Sequence, residues 1–132
     1  MHGILLVDKP VGRSSFDMVR TLRRITGVRK IGHAGTLDPL ASGLMIMLIG
    51  EACKQAGRFL KLDKTYVAEL SLGQESETGD REGSLRDISD KRPRPEQIEP
   101  VLQTFTGSIS QTPPIYSAIK VGGQRAYKAA RQ

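Results

Sequence analysis

The sequence predicts an α/β fold of the α+β kind, in which a mixed, largely antiparallel sheet is flanked by helices. Short apolar runs bounded by turn residues alternate with segments whose apolar residues recur at helical spacing. With 132 residues, of which 38% are hydrophobic, the chain has the length of one domain and enough apolar surface for a modest core.

The first elements follow from the residues near the N-terminus. Residues 3–7 are an apolar run that predicts a short buried strand. Ser14-Ser15 offers an N-cap for a helix that is expected to run to about Thr26 and to be stopped by Gly27. Residues 44–49 are entirely apolar and predict a second buried strand. The expected core stripe of the helix recurs every three residues: Phe16, Val19, Leu22 and Ile25.

Between this helix and the second strand lies a loop, residues 32–43, which reads Gly-His-Ala-Gly-Thr-Leu-Asp-Pro-Leu-Ala-Ser-Gly. Pro39 fixes its own φ and biases Asp38 towards extended backbone, so the loop is expected to be stiff. Asp38 is either a turn residue or a reactive carboxylate held still, and His33 is either structural or functional. Three glycines supply backbone angles that a Cβ would forbid: Gly32, Gly35 and Gly43.

The segment after the second strand predicts a helix and a third strand. The helix is expected from Gly50 to about Leu62, and the strand from Thr65 to Leu72. Apolar and polar residues alternate along that strand, and Tyr66 lies at its start on the apolar face. Two roles are open for Tyr66: core packing, or a phenol that faces a pocket and there stacks on a planar ligand or moves a proton.

The second half of the chain is less regular. Residues 73–94 are Gly-rich and acidic and predict an exposed loop with room for a hairpin. Solvation explains these acidic residues better than a metal site, because no EF-hand spacing is present. A helix is expected to begin at Pro95. Residues 108–112 and 115–121 are candidate strands, and residues 124–131 predict a basic helix.

The charges are unevenly distributed around a net charge of +6. Residues 1–72 carry eleven Lys and Arg against six acids, residues 74–100 carry five against eight, and residues 101–132 carry four and no acid. Two basic regions of this kind indicate a nucleic-acid partner, although ordinary solubility charge is the alternative. Three arginines of the first helix lie off its apolar stripe and either are solvated or contact phosphates: Arg20, Arg23 and Arg24.

Composition disfavours several function classes. The single cysteine, Cys53, lies in a predicted helix and is best explained as a small buried apolar residue; without Cys and His clusters no structural zinc site is expected. No apolar run approaches the roughly 20 residues of a membrane span, and a reducing cytoplasm is the expected compartment. Neither Gly-x-Gly-x-x-Gly nor Gly-Lys-Ser/Thr is present, which argues against a dinucleotide or phosphate-loop site.

Four segments in order resemble the bacterial TruB-type tRNA pseudouridine synthases. The first is Gly-Ile-Leu-Leu-Val-Asp-Lys-Pro at residues 3–10, continuing to residue 15, and the second is the loop 32–43. The third, residues 64–83, begins Lys-Thr-Tyr-Val-Ala-Glu-Leu-Ser-Leu-Gly, and the fourth, residues 111–131, begins Gln-Thr-Pro-Pro-Ile-Tyr-Ser-Ala-Ile-Lys. The resemblance implies the pseudouridine synthase catalytic fold and isomerisation of uridine to pseudouridine at position 55 in the T-loop of tRNA.

The resemblance also implies roles for single residues. Asp38 matches the family's nucleophile, and Tyr66 matches the tyrosine that packs on the target ring and is favoured as base for the C5 proton. Lys9 and Pro10 match a motif that supports the catalytic loop. Matching substrate-binding positions are His33, which helps displace the target base, and its loop neighbours Gly35, Thr36 and Leu37. The expected RNA-binding residues are Arg20, Arg23, Arg24, Lys120, Arg125, Lys128 and Arg131.

The expected partner is the T-arm of tRNA, with no cofactor, no metal and no membrane, and with a monomeric state at full length. Synthases of this type continue well past residue 132 and there carry an arginine that pairs with the catalytic aspartate. Residues 1–132 are therefore expected to be the N-terminal part of a catalytic domain, inactive or very poor alone and prone to association, with residues 111–132 beginning an RNA-clasping segment. The alternative is a non-catalytic RNA-binding or tRNA-folding module of the same fold.

Overall fold

The computed structural model describes residues 1–112, 120–121 and 124–125. The chain divides into two compact units, Met1–Tyr66 and Val67–Gln132. The first unit holds the loop that the sequence singled out. The mixed α/β class is confirmed, because helices alternate with small sheets in the described residues.

The first unit is built on a three-stranded antiparallel sheet. Its strands are β1 (Gly3–Lys9), β2 (Ile31–His33) and β3 (Gly43–Ile49), in the order β1-β3-β2. The register pairs Lys9 with Gly43 and His33 with Met47. Both predicted strands form, but the burial expected for residues 3–7 was wrong: β1 is an edge strand, and Ile4, Leu5 and Leu6 are 49%, 41% and 62% exposed. β2 was not predicted, because three residues are too few to show a period in the sequence.

Helix α1 (Ser15–Thr26) connects β1 to β2 and has the predicted ends. The Ser14 side chain accepts a hydrogen bond from the Asp17 backbone N–H at 3.2 Å, and the Asp17 carboxylate accepts one from the Ser14 N–H at 2.9 Å. This reciprocal capping box satisfies two amides at the helix start. At the other end Gly27 has φ of +70° and donates its N–H to the Arg23 carbonyl at 2.9 Å.

The core face of α1 differs from the expected stripe. Val19 is buried and Leu22 packs against the core, but Phe16 is 54% exposed and Ile25 71% exposed. A helix turns about 100° per residue, so a spacing of three falls back by about 60° at each step. Phe16 and Ile25, nine residues apart, therefore lie on opposite sides of the helix. The prediction that both are core residues was wrong.

From Met45 onwards the central strand β3 is buried on both faces, as its apolar run predicted, whereas Leu44 at its start is exposed. One face packs against α1 through a cluster of buried residues: Val19, Ile31, Met45, Met47 and Ile49. The other face carries the fully buried Leu48, which packs with Ala34 and Ala52. The loop between β2 and β3 thus begins and ends on strands of the same core.

The single helix expected after β3 is divided into two pieces. Gly50–Gln55 is a 3-10 helix and Ala56–Leu60 is α2. Glycine is a poor helix former, and Gly50 and Gly57 stand at the start of the first piece and inside the second. Cys53 is half-buried, and its thiol donates to the Leu48 carbonyl at 3.2 Å, which agrees with a structural role.

The strand expected at Thr65–Leu72 is absent: these described residues have no regular structure. Val67 is fully exposed, and the other residues of this segment are largely exposed, such as Tyr66 at 67% and Leu72 at 54%. The period-two alternation reports which side chains share a face, but a strand also needs a hydrogen-bonded neighbour. No described strand pairs with residues 65–72, so the segment does not form a strand despite its alternating pattern.

The rest of the second unit follows the sequence in part. The expected hairpin is formed by β4 (Gln74–Ser76) and β5 (Leu85–Asp87), and the expected helix is α3 (Pro95–Gln103). Residues 108–112 form no strand, contrary to expectation. In the described part of this chain, no helix combines the length and apolar character of a membrane span.

Two further short strands, β6 (Lys120–Val121) and β7 (Gln124–Arg125), pair antiparallel. β6 lies at the end of the candidate strand 115–121, whose other residues are outside the described range. A helix from Gln124 was wrong for residues 124 and 125, since β pairing takes their backbone groups. The expected helical residues 126–131 lie outside the described residues.

Candidate functional site

The candidate site is the loop of residues 34–42 that joins β2 to β3. Ala34 continues the ladder past β2 by donating its N–H to the Ile46 carbonyl at 2.9 Å. His33, the last residue of β2, is half-buried, and its Nδ1 lies 2.6 Å from the Gly35 carbonyl. Since a carbonyl only accepts, Nδ1 carries the proton, and the ring is oriented with Nε2 left for another partner.

Leu37 is the most firmly anchored residue of this loop. Its N–H donates to the Ser15 Oγ at 2.9 Å, and the same hydroxyl donates to the Leu37 carbonyl at 2.9 Å. The Leu37 side chain packs against the core cluster between the sheet and α1. Ser15 itself is only 4% exposed. Both polar groups of the Leu37 backbone and its side chain are therefore tied to α1 and the core.

The residues on either side of Asp38 are bound to the connection between β1 and α1 and to the first residue of α1. Gly12 donates its N–H to the Pro39 carbonyl at 2.8 Å, while Ser15 holds Leu37. The Asp38 carbonyl accepts from the Ala41 N–H at 3.0 Å. Three successive carbonyls, those of residues 37 to 39, are thus hydrogen-bonded. The Asp38 backbone is held while the residue stays exposed.

The connection between β1 and α1 is closed by a buried lysine. Lys9 has 0% exposure, and its Nζ donates to the Pro10 carbonyl at 2.9 Å and to the Arg13 carbonyl at 2.7 Å. These bonds shape the turn that presents Gly12 to the loop. The structural role implied for Lys9 and Pro10 by the resemblance agrees with these contacts.

Two of the three loop glycines need their special backbone angles. Gly35 has φ of +110° and Gly43 has φ of +129°, a region that L side chains rarely adopt. Gly32 has no such angle, and a Cβ there would meet the Cys53 Sγ at an ordinary 3.8 Å. The expectation for Gly32 was wrong, because it lies inside the short strand β2, where extended backbone suits any residue.

Charge around the loop is sparse in the described residues. Asp38 forms no ion pair with any of them, and the ion pairs that do form are on the surface, such as Arg20 with Asp17 at 3.4 Å. Hydrogen bonds from the Ser14 side chain and backbone hold the pKa of Asp17 below its ordinary value. Across the described residues no group of three or more His, Cys, Asp and Glu side chains is placed to bind a metal ion.

Comparison with known proteins decides the family. The family model of the TruB family pseudouridylate synthase (N terminal domain) matches residues 23–132. The chain belongs to the TruB family. It is 48% identical over 131 residues to the tRNA pseudouridine synthase B of Rhodospirillum rubrum, covering 99% of this chain and 42% of that protein.

Other relatives of the same name agree. The chain is 47% identical over 133 residues to the protein from Protochlamydia amoebophila, covering 100% of this chain and 51% of the relative. It is 47% identical over 132 residues to the protein from Chlamydia abortus, covering 99% of this chain and 56% of that relative. The chain thus spans about half the length of the curated relatives that it matches.

The positions implied by the TruB resemblance are distributed over three places. One loop brings together the candidate nucleophile and the substrate-binding positions: His33, Gly35, Thr36, Leu37 and Asp38. Tyr66 is 67% exposed in an irregular segment, and no hydrogen bond joins it to the loop in the described residues. Its expected place on an apolar strand face was wrong, since that strand does not form.

The basic residues implied for RNA contact lie on α1 and on the short pair β6-β7. The Arg20 and Arg23 guanidinium groups lie 5.8 Å and 5.9 Å from the centroid of the Phe16 ring. These three side chains and Arg24 form an exposed face, which we call the α1 basic face. Lys120 and Arg125 are cross-strand partners. The remaining two expected residues, Lys128 and Arg131, lie outside the described residues.

Sequence reasoning missed three residues of the site and its surroundings. Ser15 and Gly12 hold the loop, and Phe16 belongs to the basic face rather than the core. The doubled serine at positions 14 and 15 was the available signal, because one N-cap needs only one hydroxyl. Nothing in the sequence indicated which distant backbone the second hydroxyl binds.

Proposed function

We propose that this chain is the N-terminal part of the catalytic domain of a tRNA pseudouridine synthase, which converts uridine at position 55 in the T-loop to pseudouridine. The observation that carries the proposal is Asp38: an exposed carboxylate on a backbone whose carbonyls at 37, 38 and 39 are all hydrogen-bonded. The family match, together with the relatives named tRNA pseudouridine synthase B, supports the reaction class.

The reaction is an isomerisation with balanced bonds. The glycosidic bond between C1′ and N1 breaks, a bond between C1′ and C5 forms, C5 loses its proton and N1 gains one. No oxidation state of the whole nucleotide changes, so the chemistry requires no redox cofactor. Asp38 as an ionised carboxylate either adds at C1′ or removes the 2′ proton, and both routes need it close to the sugar and immobile.

The target nucleotide must leave the stack before the reaction, which costs a few kcal/mol. We propose that the ring of His33 takes the vacated place and offsets part of the lost stacking. The hydrogen bond from Nδ1 to the Gly35 carbonyl supports this role, because it fixes the ring plane before RNA arrives. Tyr66 is proposed to stack on the flipped ring and to accept the C5 proton, and its exposure leaves the phenol free to do so.

RNA binding is proposed to use the α1 basic face together with Lys120 and Arg125. On that face the Phe16 ring lies beneath two guanidinium groups, which pre-orders the arginines. Each phosphate that an arginine neutralises releases condensed counterions, so affinity should fall with salt. Replacing both Arg23 and Arg24 by Gln should lower the slope of log Kd against log salt by about 0.7–0.9 for each phosphate that is no longer neutralised.

A matched control for that measurement is Arg86→Gln. Arg86 lies in the acidic hairpin, where it pairs with Glu75 at 2.8 Å. Its loss should leave both tRNA affinity and salt slope unchanged. Equal weakening per positive charge removed would show that only overall charge matters and would contradict the assignment of this face.

The deciding experiment is Asp38→Asn in the protein at its full natural length. The change is nearly isosteric, so folding and tRNA binding should survive while tritium release from C5-labelled uridine falls to background. Asp63→Asn, an exposed carboxylate elsewhere in the first unit, is the control and should keep full activity. Retained turnover in Asp38→Asn would falsify the assignment of the nucleophile.

Residues 1–132 by themselves are proposed to be inactive or very poor catalysts. Support comes from Asp38, which has no cationic partner among the described residues. A carboxylate that must stay ionised in a closed site needs such a partner. The same observation favours the second candidate, a non-catalytic RNA-binding or tRNA-folding module. That candidate predicts salt-dependent tRNA binding by both wild type and Asp38→Asn, with no pseudouridine from either.

A further inference from the structure

We infer that Ser15 is a positioning residue for Asp38, the residue through which α1 sets the placement of the carboxylate. The inference rests on the proposed function of Asp38. Ser15 Oγ binds both the N–H and the carbonyl of Leu37, each at 2.9 Å. Among the described residues, no other side chain binds both backbone groups of one loop residue.

The position of Ser15 makes this tie rigid. As the first residue of α1 it is fixed by helical backbone, and at 4% exposure its hydroxyl has little water to compete for it. Val19, one turn further along the same helix face, is packed in the core. The loop is thus attached to a buried residue at the start of the helix, and Asp38 is the next residue after the attachment.

The neighbouring serine provides a natural comparison. Ser14 Oγ is used within α1, where it accepts from the Asp17 N–H and donates to the Asp17 carboxylate at 2.7 Å. Ser15 Oγ is used outside the helix. The two adjacent hydroxyls therefore have different roles: that of Ser14 caps the helix, and that of Ser15 holds the loop.

Removal of the Ser15 hydroxyl leaves the Leu37 N–H and carbonyl without their partner, so residues 36–38 are free to shift towards water. The tie from Gly12 to Pro39 remains and keeps the loop near its place. The expected fault is a displacement of the Asp38 carboxylate rather than unfolding. A misplacement of about 1 Å at a reacting group costs up to about a hundredfold in rate.

The effect should appear in kcat and not in tRNA binding, because the proposed phosphate-binding residues lie on the α1 basic face and on β6-β7. Ser15→Ala in the protein at full natural length should lower kcat for pseudouridine formation by about ten- to a hundredfold. KM and the Kd for tRNA should stay within about twofold. Ser14→Ala should leave kcat unchanged at a temperature where both variants are folded, while lowering Tm by a few degrees.

Two further measurements separate positioning from general damage. Ser15→Thr keeps the hydroxyl and should recover most of the missing kcat. Amide hydrogen exchange should show the Leu37 N–H exchanging at least tenfold faster in Ser15→Ala, with the Val19 N–H unchanged. Hydrogen exchange tests the bonds between Ser15 and Leu37 even if the protein does not form pseudouridine. A failure of the proposed reaction would instead appear as an inactive wild type or as an active Asp38→Asn variant.

The inference is overturned by any of three results. Ser15→Ala with kcat within twofold of wild type shows that the tie does not position Asp38. Ser14→Ala with an equal loss of kcat shows that the helix start, not the hydrogen bonds to the loop, is responsible. Unchanged Leu37 exchange in Ser15→Ala shows that the hydroxyl does not hold the loop in solution.

Discussion

Replacing Lys9 by Met tests how the β1–α1 connection is held together. Lys9 is fully buried, and its ammonium group is paired with two carbonyls rather than with a carboxylate in the described residues. Methionine fills a similar volume but donates nothing. The Pro10 and Arg13 carbonyls then lose their partner, and the turn that carries Gly12 loses its closure.

Two opposing effects determine how much Lys9→Met lowers the free energy of unfolding. Each hydrogen bond from a charged donor is worth about 1.5–3 kcal/mol, so the two bonds together contribute about 3–6 kcal/mol. The substitution also removes a buried charge, and relief of its desolvation returns part of that sum. We expect the loss of the donor to both carbonyls to dominate, with a net destabilisation of about 2–4 kcal/mol.

The assay is urea unfolding followed by far-UV circular dichroism, with Lys61→Met as control. Lys61 is exposed, so its substitution should change stability by less than about 0.5 kcal/mol. Hydrogen exchange adds a local readout: the Gly12 N–H, which binds the Pro39 carbonyl at 2.8 Å, should exchange faster in Lys9→Met. A Lys9→Met variant as stable as wild type, or more stable, would refute the reasoning, because desolvation would then outweigh the two hydrogen bonds.

Three other predictions concern the first unit. The lowered pKa of Asp17 means that its capping contribution is fully present above the unfolded pKa of about 3.9 and is lost as pH falls through the lower folded pKa. Asp17→Asn should abolish this acid-dependent loss of helix signal in a titration below about pH 4. Leu48→Ala should cost about 2–5 kcal/mol in urea unfolding, whereas the exposed Leu44→Ala on the same strand should cost less than about 0.5 kcal/mol. Gly35→Ala should cost about 1–3 kcal/mol from backbone strain alone, since nothing lies within 4 Å of its Cβ position, whereas Gly32→Ala should be mild; equal effects would contradict the φ argument.

Local chemistry accounts for the parts of the fold that the sequence predicted well. The ends of α1 depend on Ser14, Asp17 and Gly27, which lie within a few residues of the groups they bind. β3 was predicted because burial on both faces demands an unbroken apolar run. The loop residues were found because the run Gly-His-Ala-Gly-Thr-Leu-Asp-Pro resembles a known family, not because their geometry could be worked out.

Long-range partners account for what was missed. The alternation at Thr65–Leu72 is a strand pattern, yet no described strand pairs with it, and pairing is a property of two segments. Phe16 was missed for a local reason: a spacing of three drifts around the helix, so its ring is exposed and lies beneath two arginines. Ser15 binds a residue 22 positions away, and no local rule predicts that hydrogen bond.

The stiffness of the candidate site therefore has a different origin from the one its own residues suggest. Glycine and proline shape the loop 32–43, but glycine adds freedom, and only Pro39 removes any. The contacts that hold Asp38 come from residues 9–15, which run from the end of β1 to the start of α1. Lys9 closes the turn, Gly12 binds Pro39, and Ser15 binds Leu37. The loop can then carry a fixed carboxylate at its centre, because the groups that fix it belong to a strand end and a helix start that pack on the core.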